Sequence, residues 1–221
     1  MIRILIADDH PIVRDGIKQI ISEQSDMVLA GEAVNGEELL AALAQGLPDV
    51  VLCDMSMPGR SGIELIRAIK AQWPKLPILV LSVHEDDMYA VRTIKAGAMG
   101  YLTKACPSEQ LVAAVRRVAV GRIYINEDVA EKLALQLMGG DRQPHSVLSD
   151  REYQVFVMLA EGLSVSEIAK RLHLSIKTIS THKTNIMQKM NFANMAELVR
   201  YSIEKGLVNT PAAKTPGAPS A

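Results

Sequence analysis

Cysteine, aromatic residues and long apolar runs are all scarce in this chain. Its two cysteines, Cys53 and Cys106, among 221 residues cannot build a disulfide framework and lack metal-ligand spacing. They fit a reducing compartment, and Cys53, inside an apolar run, is expected to be a small core residue. Aromatic residues make up 4% of the chain, too few for an aromatic-rich ligand pocket. No apolar run reaches the ~18 residues a membrane span needs, and the N-terminus lacks a charged-then-apolar signal pattern. The expectation is a cytosolic protein without a membrane partner. A hydrophobic content of 48% is ample for one or two folded cores.

Charge is close to balanced, at −1, but unevenly spread. Residues 1–121 hold 12 Lys+Arg against 15 Asp+Glu, giving −3, whereas residues 149–208 hold 8 against 6, giving +2. The sign of this modest asymmetry suits an acidic regulatory half and a half that faces nucleic acid.

The stretch Val50-Val51-Leu52-Cys53-Asp54 is apolar without alternation until it ends on a carboxylate. That is the pattern of a parallel strand covered on both faces. The strand's C-terminal end is where open α/β sheets bind ligands. Ile2–Ala7 is a second such run and ends in Asp8-Asp9. If the two strands are neighbours, three carboxylates meet at one edge, and their repulsion calls for a cation or raised pKa values. Magnesium suits them, since it takes oxygen ligands and leaves room for water and phosphate oxygens. Asp54 would then stay ionised and could attack phosphorus. The plainer alternative is that Asp8 and Asp9 cap a helix beginning near Pro11. Two further runs, Pro77–Val83 and Gly100–Thr103, carry Ser82 and Lys104 at their ends, a hydroxyl and an ammonium suited to phosphoryl oxygens.

Between these runs, apolar residues recur at helical spacing. They mark helices beginning near Pro11 and Asn35-Gly36, one ended by Trp73-Pro74, one over Asp86–Ala96, and one over Pro107–Val120. With Met27–Val34 and Asp49–Asp54 also read as strands, five strands and five helices alternate and predict an α/β parallel sheet.

The order Asp8-Asp9, Asp54, Ser82, Lys104 resembles the receiver domain of two-component response regulators. Met57-Pro58-Gly59-Arg60-Ser61-Gly62 resembles that family's Met-Pro-x-x-x-Gly loop. The resemblance covers about the first 120 residues. It implies a flavodoxin-like, doubly wound sheet of strand order 2-1-3-4-5, with Asp54 as phosphoacceptor. Asp9, Asp54 and the Ser56 carbonyl would hold Mg²⁺, and Asp8 would reach it through water. Ser82 and Lys104 would bind the phosphoryl group, which would draw Ser82 in and bias the switch aromatic, Tyr101, inward. The domain's only chemistry would be its own phosphorylation and dephosphorylation. Ala105 stands where many receivers carry proline, which leaves the geometry of the Lys104–Ala105 peptide open. His84 reads as a surface-loop histidine.

From residue 122 to 148 the character changes. Val129, Leu133, Leu135, Leu137 and Met138 suggest a linker helix, and Gly139-Gly140-Asp141-Arg142-Gln143-Pro144 a flexible tether. Four helical segments follow over residues 149–208. Ser149-Asp150-Arg151-Glu152 and Ser164-Val165-Ser166-Glu167 are capping boxes, and Ser175 caps a helix running to about Met190. A last helix covers Met195–Glu204. Residues 209–221, rich in Pro and Ala, read as a disordered tail. The two helices joined by His173-Leu174-Ser175 form a helix-turn-helix pattern over about residues 164–183. The second carries Lys177, Lys183 and Lys189 and no acid. Ile179, Ile186 and Met190 share one stripe of it. Lys177, Thr181, Thr184 and Gln188 lie opposite, with Ser180 on the shoulder, and can read base edges.

This block, from Leu148-Ser149-Asp150-Arg151-Glu152 to Ile186-Met187-Gln188-Lys189-Met190, resembles the LuxR-type four-helix DNA-binding domain, with Met190 where leucine is usual. A receiver joined to it resembles the NarL/FixJ class. The resemblance implies a transcription regulator that a sensor histidine kinase or phosphotransfer protein phosphorylates. It would dimerise when phosphorylated, bind promoter DNA through Lys177, Ser180, Thr181, Lys183 and Thr184, and meet RNA polymerase. An aspartate-nucleophile phosphohydrolase would also use a strand-end aspartate with Mg²⁺. It would place a second aspartate where Ser56 stands. A lactone sensor would need the aromatic pocket that is missing. A phosphorylation-independent regulator would not need all five polar residues at the strand ends.

Overall fold

Runs of four to seven residues, most of them rich in Ile, Val and Leu, make the strands here. The computed structural model describes residues 1–83, 87–137 and 144–208. The chain divides into two compact units, the first built mainly from residues 1–143 and the second mainly from residues 144–208. Met138, residues 139–143 of the expected tether, His84 and the expected tail at 209–221 lie outside the described residues.

In the first unit, strands β1 (Ile2–Ala7), β2 (Met27–Ala33), β3 (Val50–Asp54), β4 (Ile78–Ser82) and β5 (Gly100–Thr103) form a parallel sheet. Its order is β2-β1-β3-β4-β5, as the family resemblance implies. Helices α1 (Pro11–Ser22), α2 (Gly36–Gln45), α3 (Gly62–Gln72), α4 (Asp87–Lys95) and α5 (Ser108–Ala119) alternate with the strands. Every residue of β3 and β4 is buried, which is what their unbroken apolar runs require of strands covered on both faces. Alternate side chains serve the two faces. Ile4, Ile6, Val50, Leu52, Leu79, Leu81 and Leu102 pack with Ile17 and Ile21 of α1 and Leu111, Val115 and Val118 of α5. The alternation sends Val51, Cys53, Val80 and Tyr101 to the opposite face.

Boundaries differ from the sequence reading by a residue or two. Strand β2 stops at Ala33 because the Val34 N–H leaves the ladder and donates to Glu38 Oε2 at 3.0 Å. Pro107 stands one position before α5, as its N-cap, with an extended ψ of 150°. The Lys104–Ala105 peptide is trans, as are the others described. The outer edge of β5 is not left open. Tyr101 N donates to Tyr124 O at 3.2 Å, and Tyr124 N to Met99 O at 2.8 Å, so the segment after α5 blunts that edge. A sixth helix, α6 (Glu127–Leu137), then packs against α4. No helix among the described residues is long and apolar enough to cross a membrane.

The second unit opens with a 3-10 turn, Pro144–Val147, followed by α7 (Asp150–Ala160), α8 (Val165–Arg171), α9 (Ile176–Met190) and α10 (Met195–Glu204). Both expected capping boxes form. Ser149 N donates to Glu152 Oε2 at 2.8 Å, and Ser164 N to Glu167 Oε2 at 2.7 Å. Tyr153 and Phe156 of α7 fill the core beside His145, whose Nδ1 lies 2.9 Å from Tyr201 Oη. The chain turns between α8 and α9 with His173 in the left-handed region, at φ 52°.

Glu152 has a second partner. Lys189 Nζ, on α9, lies 2.7 Å from its Oε2 and ties α9 to α7. Burial alone would push the Glu152 carboxyl up, but the Lys189 ammonium and the Ser149 donors bring it from its ordinary 4.5 down to about 2. The stabilisation is therefore complete above pH 4.5 and is lost as the pH falls towards 2. Replacing Lys189 with methionine should cost this unit about 1–2 kcal/mol at neutral pH, less than a fully buried pair because the ammonium is partly exposed. Urea denaturation at neutral pH and at about pH 3 checks this, since the cost should shrink in acid. An equal cost at both would assign it to lost packing instead.

Candidate functional site

The parallel register brings the strand ends to one edge. Ala7 pairs with Cys53, Asp54 with Leu81, and Ser82 with Thr103. The residues just past those positions, Asp8, Asp9 and Lys104, therefore gather around Asp54. Lys104 Nζ lies 2.7 Å from Asp8 Oδ2 and 3.1 Å from Asp54 Oδ2. Asp8 and Asp54 are each 1% exposed, so this pair of carboxylates and its ammonium sit out of water. Ser82 is fully buried, and its carbonyl accepts from Lys104 N at 2.7 Å, which fixes the end of β5 against the end of β4.

Asp8 and Asp9 do not cap α1. The N-cap is His10, which makes no side-chain cap hydrogen bond. Asp8 Oδ1 instead accepts from His10 N at 2.9 Å, and the carbonyl of Asp8 accepts from Arg14 Nη1 at 2.7 Å. Arg14 is held in turn by Glu32, Nε to Oε2 at 3.2 Å. This bracing leaves carboxylate oxygens pointing into the pocket. Asp8 Oδ2, Asp9 Oδ1 and both oxygens of Asp54 are buried, and they face the Lys104 ammonium and the His10 ring rather than well-aligned hydrogen-bond donors. Ionised oxygens in that condition are costly unless a cation is near.

Burial pushes the Asp54 carboxyl from 3.8 up to about 6. Lys104 pulls it down, the Asp8 charge adds to the rise, and the Ser56 backbone N–H opposes it. Burial also holds the Cys53 thiol far above its ordinary value, in keeping with an inert core residue.

The loop after β3 is seated by α2. A side chain at Gly36 would collide with the carbonyl oxygen of Arg60, so only glycine lets the loop lie across the start of that helix. Arg60 N also reaches Glu37 Oε1 at 3.4 Å. Ser56 is half-buried in this loop, two residues past Asp54.

Tyr101 is already buried, 9% exposed, and shares a cavity wall with Tyr124, Asn126 and Val129. His10 and Arg14 were not singled out from sequence. Their signal was position, directly after Asp8-Asp9 and one helical turn further on.

On α9, Ile179 and Ile186 are buried, whereas Lys177, Ser180, Thr181, Thr184 and Gln188 are exposed and Lys183 is half-buried. Thr181 Oγ1 donates to Lys177 O and Thr184 Oγ1 to Ser180 O, each at 3.0 Å.

Residues 4–116 match the family described as response regulator receiver domain, and residues 146–202 that described as bacterial regulatory proteins, luxR family. The oxygen regulatory protein NreC of Staphylococcus carnosus is 37% identical over 215 residues, covering 94% of this chain and 99% of the relative. NreC of Staphylococcus epidermidis is 35% identical over 93% of this chain and 99% of its own length. Among solved structures, the RcsB response regulator of Salmonella typhimurium aligns with a TM-score of 0.69 at 31% identity, over 92% of this chain and 97% of that one. RcsB bound to promoter rprA in the presence of the phosphomimetic BeF3− aligns with a TM-score of 0.63 at 30% identity, over 90% and 97%.

The raised Asp54 carboxyl has a measurable consequence. Stability from this group is intact below pH 3.8 and is lost as the pH rises through about 6, so at neutral pH the ionised carboxylate burdens the sheet unit. In chelator, Asp54→Asn should stabilise that unit by roughly 1–3 kcal/mol at about pH 8 and by almost nothing at about pH 4. Chemical denaturation of both proteins at the two pH values checks this. A gain that does not depend on pH would contradict the shift.

Proposed function

The chain belongs to the two-component response regulators that join a receiver domain to a LuxR-type DNA-binding domain, and we propose that Asp54 is its phosphoacceptor. The observation that carries this reading is a carboxylate 1% exposed at a strand end, with a buried second carboxylate sharing its ammonium, which lies 3.1 Å from Asp54 Oδ2. The donor would be a phosphohistidine of a sensor kinase or phosphotransfer protein in the cytosol. An Asp54 oxygen attacks phosphorus and forms the new P–O bond, while the P–N bond breaks and its electron pair returns to the imidazole. Lys104, released from Asp8 and Asp54, holds one phosphoryl oxygen, and the Ser82 hydroxyl donates to another.

The donor set fits Mg²⁺, because clustered, buried carboxylate oxygens are what a hard cation takes. Asp9, Asp54 and the Ser56 carbonyl would hold it, and Asp8 would do so through water. Bound there, it would supply positive charge to the phosphoryl oxygens. Asp8 and Asp9 reach the pocket from β1, and Asp54 reaches it from β3.

Phosphoryl oxygens drawing in Ser82 would bias Tyr101 inward and alter the receiver surface. The shift in receiver surface would favour a homodimer, since one helix-turn-helix touches too few bases to be selective. Two half-sites would lie ~10 bp apart or a multiple of that. RNA polymerase is the expected further partner at a promoter. Lys177, Ser180, Thr181 and Thr184 would face the bases, and the stem of Lys183 would carry its ammonium out to a phosphate.

Incubation with a small acyl phosphate and Mg²⁺ should add one alkali-labile phosphoryl group. Mass spectrometry should find it on Asp54. Labelling that survives Asp54→Ala unchanged, or runs equally in chelator, would remove the assignment.

The DNA face is tested separately. Lys183→Ala should weaken target and random duplexes alike and lower the salt slope by ~0.9 per lost phosphate contact. Thr181→Ala should leave random DNA nearly untouched and cost ~1–3 kcal/mol of discrimination at one position per half-site. Titrations of both variants at several salt concentrations decide it. The opposite pattern would mean that the two sides of α9 are misassigned.

A further inference from the structure

His10 was not among the expected ligands, yet its ring stands at the acidic pocket. Its Nδ1 is 2.9 Å from Asp9 Oδ1 and 3.2 Å from Asp8 Oδ1. One ligand atom from each of Asp8, Asp9, His10 and Asp54 can be chosen so that all lie within 4.8 Å of one another. Neighbouring ligands on an octahedral ion at ~2.1 Å stand ~3 Å apart, and opposite ones ~4.2 Å. The two short distances match neighbouring positions, and the widest span needs only a small contraction.

The oxygens in this set supply a second, independent reason to expect an ion. Asp54 is 1% exposed and no well-aligned hydrogen bond reaches its Oδ1, and Asp9 Oδ1 is buried too, facing the His10 ring. The backbone that carries the ring is also held in place. His10 N donates to Asp8 Oδ1 at 2.9 Å, and His10 O accepts from Arg14 N at 3.1 Å. Arg14 Nη1 grips the Asp8 carbonyl at 2.7 Å, so ring and carboxylates share one braced turn. Lys104 Nζ occupies the far side, on Asp8 Oδ2 and Asp54 Oδ2, and leaves the Oδ1 side to His10.

We propose that His10 is a metal ligand in this pocket. It makes the pocket a mixed nitrogen–oxygen site that takes later first-row divalent ions, of the Co²⁺ to Zn²⁺ class, in competition with Mg²⁺. The imidazole binds through Nδ1, with its proton on Nε2. A nitrogen donor adds affinity for these ions far more than for magnesium, which prefers oxygen and keeps its waters. The inference rests on the reading of Asp8, Asp9 and Asp54 as the cation site. It adds that the identity of the ion is chosen by a residue outside that set.

The test uses the full chain and Co²⁺ as probe, with Mg²⁺ for comparison, in titrations followed by calorimetry and by visible absorption of the cobalt. His10→Asn should weaken Co²⁺ binding by at least about tenfold while Mg²⁺ affinity stays within about twofold. In the parent protein, proton NMR of the cobalt form should show a hyperfine-shifted imidazole N–H resonance that the variant lacks. Unchanged Co²⁺ binding, an equal loss for both ions, or absence of that resonance in the parent would overturn the proposal. Asp54→Asn separates the two layers of inference. If the parent's Co²⁺ and Mg²⁺ binding both survive Asp54→Asn, the cation-site reading itself fails. If Asp54→Asn abolishes both while His10→Asn changes neither, only the role of His10 fails.

Discussion

Carboxylates crowd one water-poor edge of the sheet, and a single ammonium answers them. Asp8 and Asp54 share Lys104, and Asp9 stands beside them with one oxygen buried. The parallel register creates this arrangement, because β1 and β3 are neighbours and end level with one another. The same apolar strands that pin the register also exclude the water that would relieve the charges. Like charges close together in a low dielectric cost several kcal/mol. The sheet therefore carries a built-in demand for positive charge at the place where a phosphoryl group would arrive.

That demand ties the rest of the unit to Asp54. Lys104 reaches the pocket from the end of β5, and its backbone N–H is fastened to the Ser82 carbonyl. A shift of its ammonium towards a new partner must pull on β5 or bend the lysine stem. One residue before the end of that strand is Leu102, facing the α1 and α5 core, and before it Tyr101, facing the other side. Tyr101 N is bonded to Tyr124 O, and Tyr124 leads directly into α6. Charge rearrangement at Asp54 thus has a continuous covalent and hydrogen-bonded path to α6.

Much of this was legible in the residues. Unbroken runs such as Val50–Cys53 and Ile78–Leu81 fixed the strands, because a side chain facing a helix layer on either side must be apolar. Asp8, Asp9, Asp54, Ser82 and Lys104 were legible as a set because each follows such a run. His10 and Arg14 were not, since nothing in a local pattern says that a histidine at a helix N-cap turns back onto two aspartates. The buried state of Tyr101 was not legible either. It depends on Tyr124 and Val129 returning to the same edge, a contact between segments more than twenty residues apart. Strand ends such as Ala33 missed by one residue because a side chain, Glu38, competes for the next backbone N–H.

The helix that would read DNA shows how a count of charges can mislead. Three lysines and no acid on α9 suggest three cations for phosphates. Lys189, however, is committed to Glu152 inside its own unit, 2.7 Å away, and holds α9 to α7. Lys177 and Lys183 are left as the cations of that helix for a nucleic acid. The two threonines are committed as well, in a way that shapes what they can read. Thr181 and Thr184 each donate their hydroxyl proton to a carbonyl one turn back. What they present outward in this state is an oxygen lone pair and a methyl group. Such a surface accepts from the exocyclic amine of adenine or cytosine, or packs on the thymine methyl. It cannot donate to guanine O6 without breaking the intrahelical bond first. The conformation of the free helix thus already leans towards some base edges over others, before any DNA is bound.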